Sequence, residues 1–445
     1  MERQKIDSME AAVDYLYNMP RFTTKNTMED TRAHLVRLGS PDRKIRRIIH
    51  VAGTNGKGSV CAYLRYCLQE AGYRVSVFTS PHLVDIRERF VINGEMISEE
   101  DFLRLFLQVY DSLDWEALRV GKGYHPTFFE YLFFMGMLYF AEQDPDFCIL
   151  ETGLGGRLDA TNSVTDKALT IITRISPDHV EYLGDTIAKI AGEKAGIMRG
   201  GVPLVYLDEV PEASTVFVEW AKKLKIEAYP VSKKDYDFPK FNNKTIDFSL
   251  HTRYYGYIGA TLHTTALYQM ENAALAVRAL EILLQGRGIT AEDIRTGLAK
   301  TFWPGRMEEI LPDVFLDGAH NEDGIRAFLD TVREDGCGSR SQGRTLIFSV
   351  VQDKNYGSMI TQVLDAALFD RIYVAHMETK RAASLESLKE QWKKAPGDNT
   401  EILFFENVKP AVRHALSAQD GDRIYIAGSL YLVGEIKEFI DDDQF

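Results

Sequence analysis

One glycine-rich segment constrains the fold more than any other part of this sequence. It lies between an apolar run, Ile48 to Ala52, and a helix-forming run, Val60 to Ala71. The apolar run predicts a buried strand, and the segment itself reads Gly53-Thr54-Asn55-Gly56-Lys57-Gly58-Ser59. Glycines let backbone N–H groups turn inward, the following helix N-terminus adds positive potential, and Lys57 supplies a mobile cation. The segment therefore predicts a phosphate-binding loop at the end of a buried strand.

The spelling of this loop differs from the common nucleotide-binding pattern. That pattern has four residues between its first glycine and a Gly-Lys-Ser/Thr end, whereas Gly58 here separates Lys57 from Ser59. Val51 also occupies the place of the first glycine. A plain glycine-rich turn is the alternative. It is disfavoured because strand, lysine, hydroxyl and helix all fall where a bound phosphate needs them.

Length and charge narrow the class of protein. A chain of 445 residues predicts two or three domains. The net charge of −13 argues against a general nucleic-acid binder, although a local basic pocket still suffices for small anions. No apolar run approaches the roughly 20 residues that a membrane span needs, and residues 1–14 lack an apolar signal core. The sequence has no long apolar helix that would need a partner subunit to cover it, so we expect a monomer. Together with the charge and the lack of an apolar segment, this predicts a cytoplasmic protein that binds neither membrane nor nucleic acid.

The cysteines do not indicate a functional site. The sequence has four, widely separated and without a Cys-x-x-Cys pair: Cys61, Cys67, Cys148 and Cys337. This spacing disfavours both a zinc site and a disulfide framework. We expect them to be reduced residues of the core.

Alternating strands and helices predict an α/β fold of two units. Up to residue 224 the order strand, loop, helix repeats, which is typical of a mostly parallel sheet with helices on both faces. The stretch Asp235 to Thr264 alternates like antiparallel hairpins. A break at Thr301 to Arg306 then predicts a boundary, with a P-loop-containing domain at 1–300 and a smaller Rossmann-like domain at 301–445. The second unit lacks G-x-G-x-x-G, so no dinucleotide is predicted there.

Polar residues at neighbouring strand ends suggest magnesium. Glu151 directly follows the predicted strand Phe147 to Leu150, Ser80 ends another strand, and His179 follows a third. Ligands collect at the carboxyl ends of parallel strands, and Mg²⁺ takes oxygen ligands beside nucleotide phosphates. Taken alone, Glu151 reads as a solvated carboxylate and His179 as an ordinary loop histidine. Their convergence on one sheet edge is what favours a site.

Three further groups are ambiguous by spacing alone. Lys194 lies near the end of a predicted helix, where an exposed or capping lysine is the simplest interpretation. Arg306 lies in the predicted linker, and Asp317-Gly318-Ala319-His320-Asn321 follows a strand of the second unit. Arg306 and this segment look like groups brought to a nucleotide across a cleft between domains.

Taken together, the motifs resemble a known family, the folylpolyglutamate synthase/dihydrofolate synthase branch of the Mur ligase superfamily. The matching segments follow the family order over nearly the whole chain: Gly53 to Ser59, Thr79 to Leu83, Glu151 to Asn162, Ser176 to His179, Glu193 to Ile197, Pro304 to Arg306, Asp317 to Asn321 and Gly428 to Glu435. The loop alone indicates only a Mur-like ligase; the Leu154 to Asn162 block and the Ser80-Pro81-His82 triplet narrow it to the folate branch.

The resemblance implies roles for individual residues. ATP contacts are implied for Thr54, Asn55, Gly56, Lys57, Gly58, Ser59, Asn272, Arg306, Asp317 and His320. Magnesium ligands are implied at Ser80, Glu151 and His179, with a second magnesium beside His179 and a carbamylated Lys194. The pterin-binding segments are implied to be Thr127, Phe128, Phe129 and Glu130, and Gly155, Gly156 and Arg157. Lys57, His179 and Lys194 are the implied catalytic groups.

Three departures from the family pattern stand out. Pro177 replaces the usual leucine, Thr152 the usual valine, and Leu267-Tyr268 the usual Gly-His pair before Gln269. We expect the first two to be tolerated and the third to alter packing around the adenine.

The resemblance implies an ATP-dependent amide ligase. ATP would phosphorylate a substrate carboxylate, and the α-amine of L-glutamate would then attack the acyl phosphate, with dihydropteroate, reduced folates or both as acceptors. A cell-wall precursor ligase is the alternative within the superfamily. A P-loop kinase or nucleotide switch, and a non-enzymatic folate-binding module, are the alternatives of another class.

Overall fold

The computed structural model describes residues 3–19, 26–237, 240–242, 244–335, 343–394, 400–419 and 421–442. Within these ranges the chain forms one large sheet, one small antiparallel sheet and one further sheet of six strands. Cys337 lies outside the described residues, and the other three cysteines are free and buried. No helix in the described ranges is long and apolar enough to cross a membrane.

The large sheet has eight strands in the order β4-β3-β2-β5-β1-β6-β7-β8. Their bounds are β1 (Ile48–Ala52), β2 (Val75–Phe78), β3 (Phe90–Ile92), β4 (Glu95–Met96), β5 (Phe147–Glu151), β6 (Leu169–Ile172), β7 (Leu204–Leu207) and β8 (Ala228–Val231). β1 pairs in parallel with β5 and β6, and every residue of β1 is buried. That burial on both faces is why the strand reads as a continuous apolar run.

The helices of this part flank the sheet. Their bounds are α1 (Met9–Tyr17), α2 (Met28–Arg37), α3 (Lys57–Glu70), α4 (Glu99–Ser112), α5 (Trp115–Arg119), α6 (Phe128–Gln143), α7 (Val180–Leu183), α8 (Ile187–Ala195), α9 (Pro211–Leu224), α10 (Gln269–Leu284) and α11 (Ala291–Lys300). Helix α6 is apolar on nearly every face and lies in the core between the sheet and α1 and α4. The apolar run containing Glu130 is thus a buried helix.

The small sheet matches the predicted hairpins. It contains β9 (Lys240–Asn242), β10 (Thr245–His251) and β11 (Tyr257–Leu262), all paired antiparallel. One face of β10 and β11 is buried against the core that also holds α3 and α10.

The C-terminal sheet has the order β12-β13-β17-β14-β15-β16. Its strands are β12 (Arg306–Leu311), β13 (Val314–Asp317), β14 (Arg344–Phe348), β15 (Arg371–Ala375), β16 (Glu401–Phe405) and β17 (Arg423–Ala427). Its helices are α12 (Glu322–Glu334), α13 (Tyr356–Ala366), α14 (Leu385–Lys394), α15 (Val408–Ser417) and α16 (Leu430–Asp442). All pairings are parallel except that of β12 with β13.

The predicted α/β class is confirmed. The polar stretch from Asp85 to Asn93 contains a 3-10 helix (Ile86–Arg89) and strand β3. Strand β3 pairs antiparallel with β2, and Phe90 and Arg89 are buried. Buried apolar side chains are interspersed with charged ones in this stretch, and the buried apolar ones pack on the core.

Candidate active site between the two sheets

The phosphate loop follows β1 and turns directly into α3, which begins at Lys57. The Lys57 ammonium donates to the carbonyl oxygens of Gly53, at 3.2 Å, and Thr54, at 3.1 Å. Gly56 has φ of 89°, and a Cβ there would lie 2.3 Å from Asn272 Oδ1. Glycine is therefore required at this turn, and Asn272 of α10 lies against the loop.

The additional glycine of the loop has a packing reason. A Cβ on Gly58 would lie 2.7 Å from the indole ring of Trp303, in the linker before β12. Trp303 thus lies directly over the first turn of α3. A side chain at position 58 would push the linker away from the phosphate loop.

Glu151 ends β5 beside the loop and is 3% exposed. Its Oε2 accepts the backbone N–H of Ser80 at 3.0 Å, and its Oε1 lies 4.0 Å from Lys57 Nζ. Burial raises the pKa of Glu151, and the charge of Lys57 acts against that rise. Ser80 and Glu151, predicted from separate strand ends, are therefore in direct contact.

Lys194 is buried, so the exposed position that its spacing favours is wrong. It is 3% exposed, and its Nζ donates to the Gly53 carbonyl at 2.8 Å. Burial, with the nearby charge of Lys57, lowers the pKa of Lys194 to about 7. The last turn of α8 therefore places the Lys194 amine, which loses its proton easily, next to the start of the phosphate loop.

His179 belongs to a cluster that joins the two sheets. Lys354, which follows β14 of the second sheet, lies 2.5 Å from Asp178 Oδ1 and 3.5 Å from His179 Nε2. Asn321 Nδ2 donates to Asp178 Oδ2 at 3.1 Å. Burial lowers the pKa of His179 to about 4, so the imidazole is neutral at pH 7. Burial acts to raise the pKa of Asp178, but Lys354, His320 and His179 together outweigh burial and hold this pKa below its usual range.

Asp317 lies at the end of β13 and is also buried. Its carboxylate accepts the Tyr268 hydroxyl at 2.5 Å, the Met307 N–H at 3.1 Å and the Ala319 N–H at 2.8 Å. Because Tyr268 precedes α10 and Asp317 belongs to the second sheet, this contact also crosses between the two parts. His320 Nδ1 lies 2.7 Å from the Gly318 carbonyl, and burial lowers the pKa of His320 to about 4.

One cavity of about 270 Å³ collects these groups. Its lining includes these predicted residues: Thr54, Asn55, Gly56, Lys57, Gly58, Ser59, Ser80, Glu151, Gly155, His179, Lys194, Asn272, Arg306, Asp317 and His320. The remaining predicted substrate residues do not line it. Thr127 caps α6 in a reciprocal pair with Glu130, and Arg157 pairs with Glu193 at the surface. The pterin assignment of Thr127 to Glu130 and of Gly156 and Arg157 stays a prediction.

Several lining residues had no assigned role in the sequence. They include Arg174, Asp178, Glu271, Lys354, Arg381 and Tyr431. Arg174 forms a two-pronged ion pair with Glu271, and Arg381 donates to the Tyr431 hydroxyl at 2.9 Å. The strand-end rule indicates Lys354 only weakly, because this residue lies farther beyond the end of β14 than His320 lies beyond the end of β13.

Comparisons with known proteins agree with this arrangement. Residues 51–280 match the Mur ligase middle domain, and residues 305–430 match the Mur ligase, glutamate ligase domain. The chain is 36% identical to the dihydrofolate synthase/folylpolyglutamate synthase of Bacillus subtilis, over 96% of this chain and 98% of that one. It is 33% identical to the dihydrofolate synthetase of Saccharomyces cerevisiae, over 90% of this chain and 95% of the other.

Solved structures show the same fold at lower identity. The structure of E. coli FolC in complex with DHPP and ADP aligns with a TM-score of 0.83 at 27% identity, over 99% of both chains. The Mycobacterium tuberculosis folylpolyglutamate synthase complexed with ADP aligns with a TM-score of 0.87 at 27% identity, over 97% of this chain and 98% of that one. The chain therefore belongs to the folylpolyglutamate synthase/dihydrofolate synthase family of Mur-type ligases.

Proposed function

We propose that this protein is an ATP-dependent ligase that joins L-glutamate to dihydropteroate, to reduced folates, or to both. The observation that carries the proposal is a cavity that gathers the predicted nucleotide and metal residues and is lined from both sheets. One side supplies a phosphate loop with Glu151 and Lys194, and the other supplies Asp317 and Lys354. A reaction that needs a nucleotide and two further substrates requires such a shared cleft.

ATP fits the loop side of the cleft. Gly56 lets the Asn272 side chain approach the loop where a Cβ would clash, and Lys57 is held beside the turn by two carbonyl groups. Arg306 and Asp317 line the same cavity from β12 and β13. Relatives of the same fold have been solved with ADP, which supports nucleotide binding here.

Magnesium fits the residues beside the loop. No group of three or more His, Cys, Asp or Glu side chains among the described residues is arranged to hold a metal ion by itself, so a site would combine protein groups with nucleotide oxygens. Glu151 is a buried carboxylate in contact with Ser80, and a cation would offset its burial. We propose that Ser80, Glu151 and His179 hold magnesium, with a second ion near His179. When bound, magnesium would neutralise charge on the phosphates.

A carbamate on Lys194 is also compatible with its surroundings. Carbon dioxide reacts with a neutral amine, and the pKa of about 7 makes the neutral form available near neutrality. The modification would turn a buried cation into an anion next to Lys57. We propose it for this chain on that ground.

The reaction follows from the placement of the groups. The acceptor carboxylate attacks the γ-phosphorus of ATP and releases ADP, which gives an acyl phosphate. Lys57 lies where it stabilises negative charge on the transferring phosphoryl group. The α-amine of L-glutamate then attacks the acyl carbon, and phosphate leaves as the amide forms. The two sheets meet across this cleft and exclude water from the acyl phosphate.

We further propose residues 1–300 and 301–445 as the two functional domains. We also propose a monomer, because one chain supplies both sides of the cleft. The cytoplasmic location expected from the sequence stays a prediction.

ADP release tests the function when it is measured without an acceptor, with dihydropteroate or tetrahydrofolate alone, and with each acceptor together with L-glutamate. We expect release to require an acceptor and sustained turnover to require L-glutamate. ADP release that ignores both substrates would indicate a nucleotide switch. Tight folate binding without any ADP release would indicate a binding module instead.

A further inference from the structure

Arg89 is a buried cation that no acidic side chain neutralises directly. The residue is 6% exposed, and its Nε donates to His82 Nδ1 at 2.8 Å. Within the described part of the chain, no hydrogen bond or ion pair joins its Nη1 and Nη2 atoms to a carboxylate. Two partly buried arginines differ in this respect, since Arg174 pairs with Glu271 and Arg423 pairs with Asp335.

The nearest carboxylates are engaged elsewhere. Glu88 accepts the backbone N–H groups of Leu83, Val84 and Asp85, at 2.7, 2.9 and 2.8 Å. Glu151 accepts the Ser80 N–H and lies beside Lys57. A charge taken out of water without a partner is costly, and burial accordingly lowers the pKa of Arg89 to about 10. Such a group is retained most readily where a ligand supplies the missing anion.

The surroundings of Arg89 fit an aromatic anion. Its guanidinium lies 5.4 Å from the centre of the Phe128 ring, and Phe128 stacks on Tyr17 with ring centres 5.8 Å apart and planes 14° apart. Because Arg89 donates to Nδ1 of His82, that ring carries its proton on Nε2, which lies 3.0 Å from the Tyr17 hydroxyl. Two aromatic rings, Tyr17 and Phe128, next to the Arg89 cation are complementary to a ligand in which an aromatic ring carries a carboxylate.

Arg89 lies near one edge of the cavity, without lining it. It follows the Ser80 to Val84 turn, and a Cβ on Gly434 of α16 would lie 2.3 Å from the Leu83 carbonyl oxygen. The turn therefore contacts the second sheet's helix at the edge of the cavity. Glu151 and Tyr431, which both line that cavity, lie close enough to act on the charge of Arg89. A carboxylate that approaches a phosphoryl group needs a cation to reduce their mutual repulsion.

We propose that Arg89 binds the carboxylate of the acceptor substrate, next to Phe128, whose segment the family resemblance already implies in substrate binding. The assignment rests on the ligase function proposed above and adds the group that recognises its acceptor. The guanidinium supplies two parallel N–H groups, the geometry that a carboxylate accepts best.

The test compares Arg89→Met with Arg89→Lys and with the control Arg87→Met. Arg87 lies two positions away and is already paired with Asp85. For Arg89→Met we expect KM for the acceptor to rise roughly 10- to 100-fold, the range of a lost charge-assisted hydrogen bond, with KM for ATP changed less than about twofold. Arg89→Lys should fall between, and Arg87→Met should match the parent.

Two further readouts separate substrate binding from a structural role. A carboxamide analogue of dihydropteroate lacks the anion, so its inhibition constant should be equal in the parent and in Arg89→Met. The thermal midpoint of ligand-free Arg89→Met should be unchanged or higher, because replacing an unneutralised buried charge with an apolar side chain of similar length removes a desolvation cost. A lower midpoint with an unchanged acceptor KM would overturn the proposal and make Arg89 structural. A parent enzyme without acceptor-dependent ADP release would instead overturn the ligase function, and the assignment of Arg89 with it.

Discussion

The two sides of the cleft are built differently. On the loop side, the reactive groups are held within their own sheet: Lys57 and Lys194 both donate to the Gly53 carbonyl, and Glu151 accepts from Ser80. On the second side, the groups are held by contacts that cross the cleft, such as Lys354 with Asp178 and Asp317 with Tyr268. The named groups of the loop side are therefore positioned by contacts within one sheet, whereas those of the second side also depend on contacts across the cleft.

From this difference we expect substitutions on the loop side to lower the rate of the chemical step. Substitutions on the second side should weaken the contacts that hold the two sides of the cleft together. The largest effect is expected at Lys57. Lys57→Ala should lower kcat by about a hundred- to thousandfold, because a preorganised cation beside the transferring phosphoryl group is lost. Steady-state ADP release measures it, with the exposed Lys189→Ala as the control. Near-normal turnover of Lys57→Ala would show that the loop is not where the phosphates react.

The Lys354–Asp178 pair should have the next largest effect. Lys354→Met and Asp178→Asn each leave one charge buried without its partner, so each should lower kcat/KM for L-glutamate about 10- to 100-fold. The double variant should lose less than the product of the two single losses, which a double-mutant cycle measures. Arg333→Met with Asp330→Asn, an exposed pair on α12, is the matched control. Strictly additive losses would mean that the two side chains do not act together across the cleft.

Lys194 should make turnover depend on pH. Its pKa is lowered to about 7, so the amine is mostly neutral above pH 7 and mostly protonated below it. If turnover needs the neutral or carbamylated amine, kcat should fall about tenfold per pH unit below about pH 6, and added bicarbonate should raise it. A kcat profile that is flat from pH 5.5 to 8 would count against a role for this amine. Lys194→Arg, which stays charged, should remain slow at every pH.

The smallest effect is expected at Tyr268, where the sequence departs from the family pattern. Tyr268→Phe removes one of three donors to Asp317, so KM for ATP should rise about 3- to 10-fold with little change in kcat. Tyr255→Phe is the control, because that hydroxyl donates to the Ile289 carbonyl outside the cavity. A fall in kcat with KM for ATP unchanged would place Tyr268 in the chemistry and not in the positioning of Asp317.

The sequence predicted the loop side better than the second side, and the same structural difference explains why. A phosphate loop is a local feature, in which Gly56, Lys57 and the start of α3 are neighbours along the chain. Glu151 and Ser80 could be found because both stand at ends of parallel strands. These residues can be predicted because their positions depend on a few neighbouring residues or on the ends of adjacent strands in one sheet.

The second side depends on contacts between residues far apart in the sequence. Lys354 and Asp178 are 176 positions apart, and nothing in either segment alone indicates the other. The position of Lys194 near the end of a helix predicted an exposed side chain. Its burial depends on packing against the phosphate loop, which is distant in the sequence. Tyr268 was identified as a departure that should alter packing around the adenine, but its bond to Asp317 could not be derived without the placement of both sheets.

The most direct test of the central claim follows oxygen atoms through the reaction. The acceptor, dihydropteroate or tetrahydrofolate, is labelled with ¹⁸O in the carboxylate that becomes the amide and is turned over with ATP and L-glutamate. If the cleft phosphorylates that carboxylate and then joins it to glutamate, one ¹⁸O atom per turnover must appear in the released phosphate. Mass spectrometry of the phosphate measures it. Phosphate without label, from a reaction that still forms the glutamyl product, would contradict the acyl phosphate route.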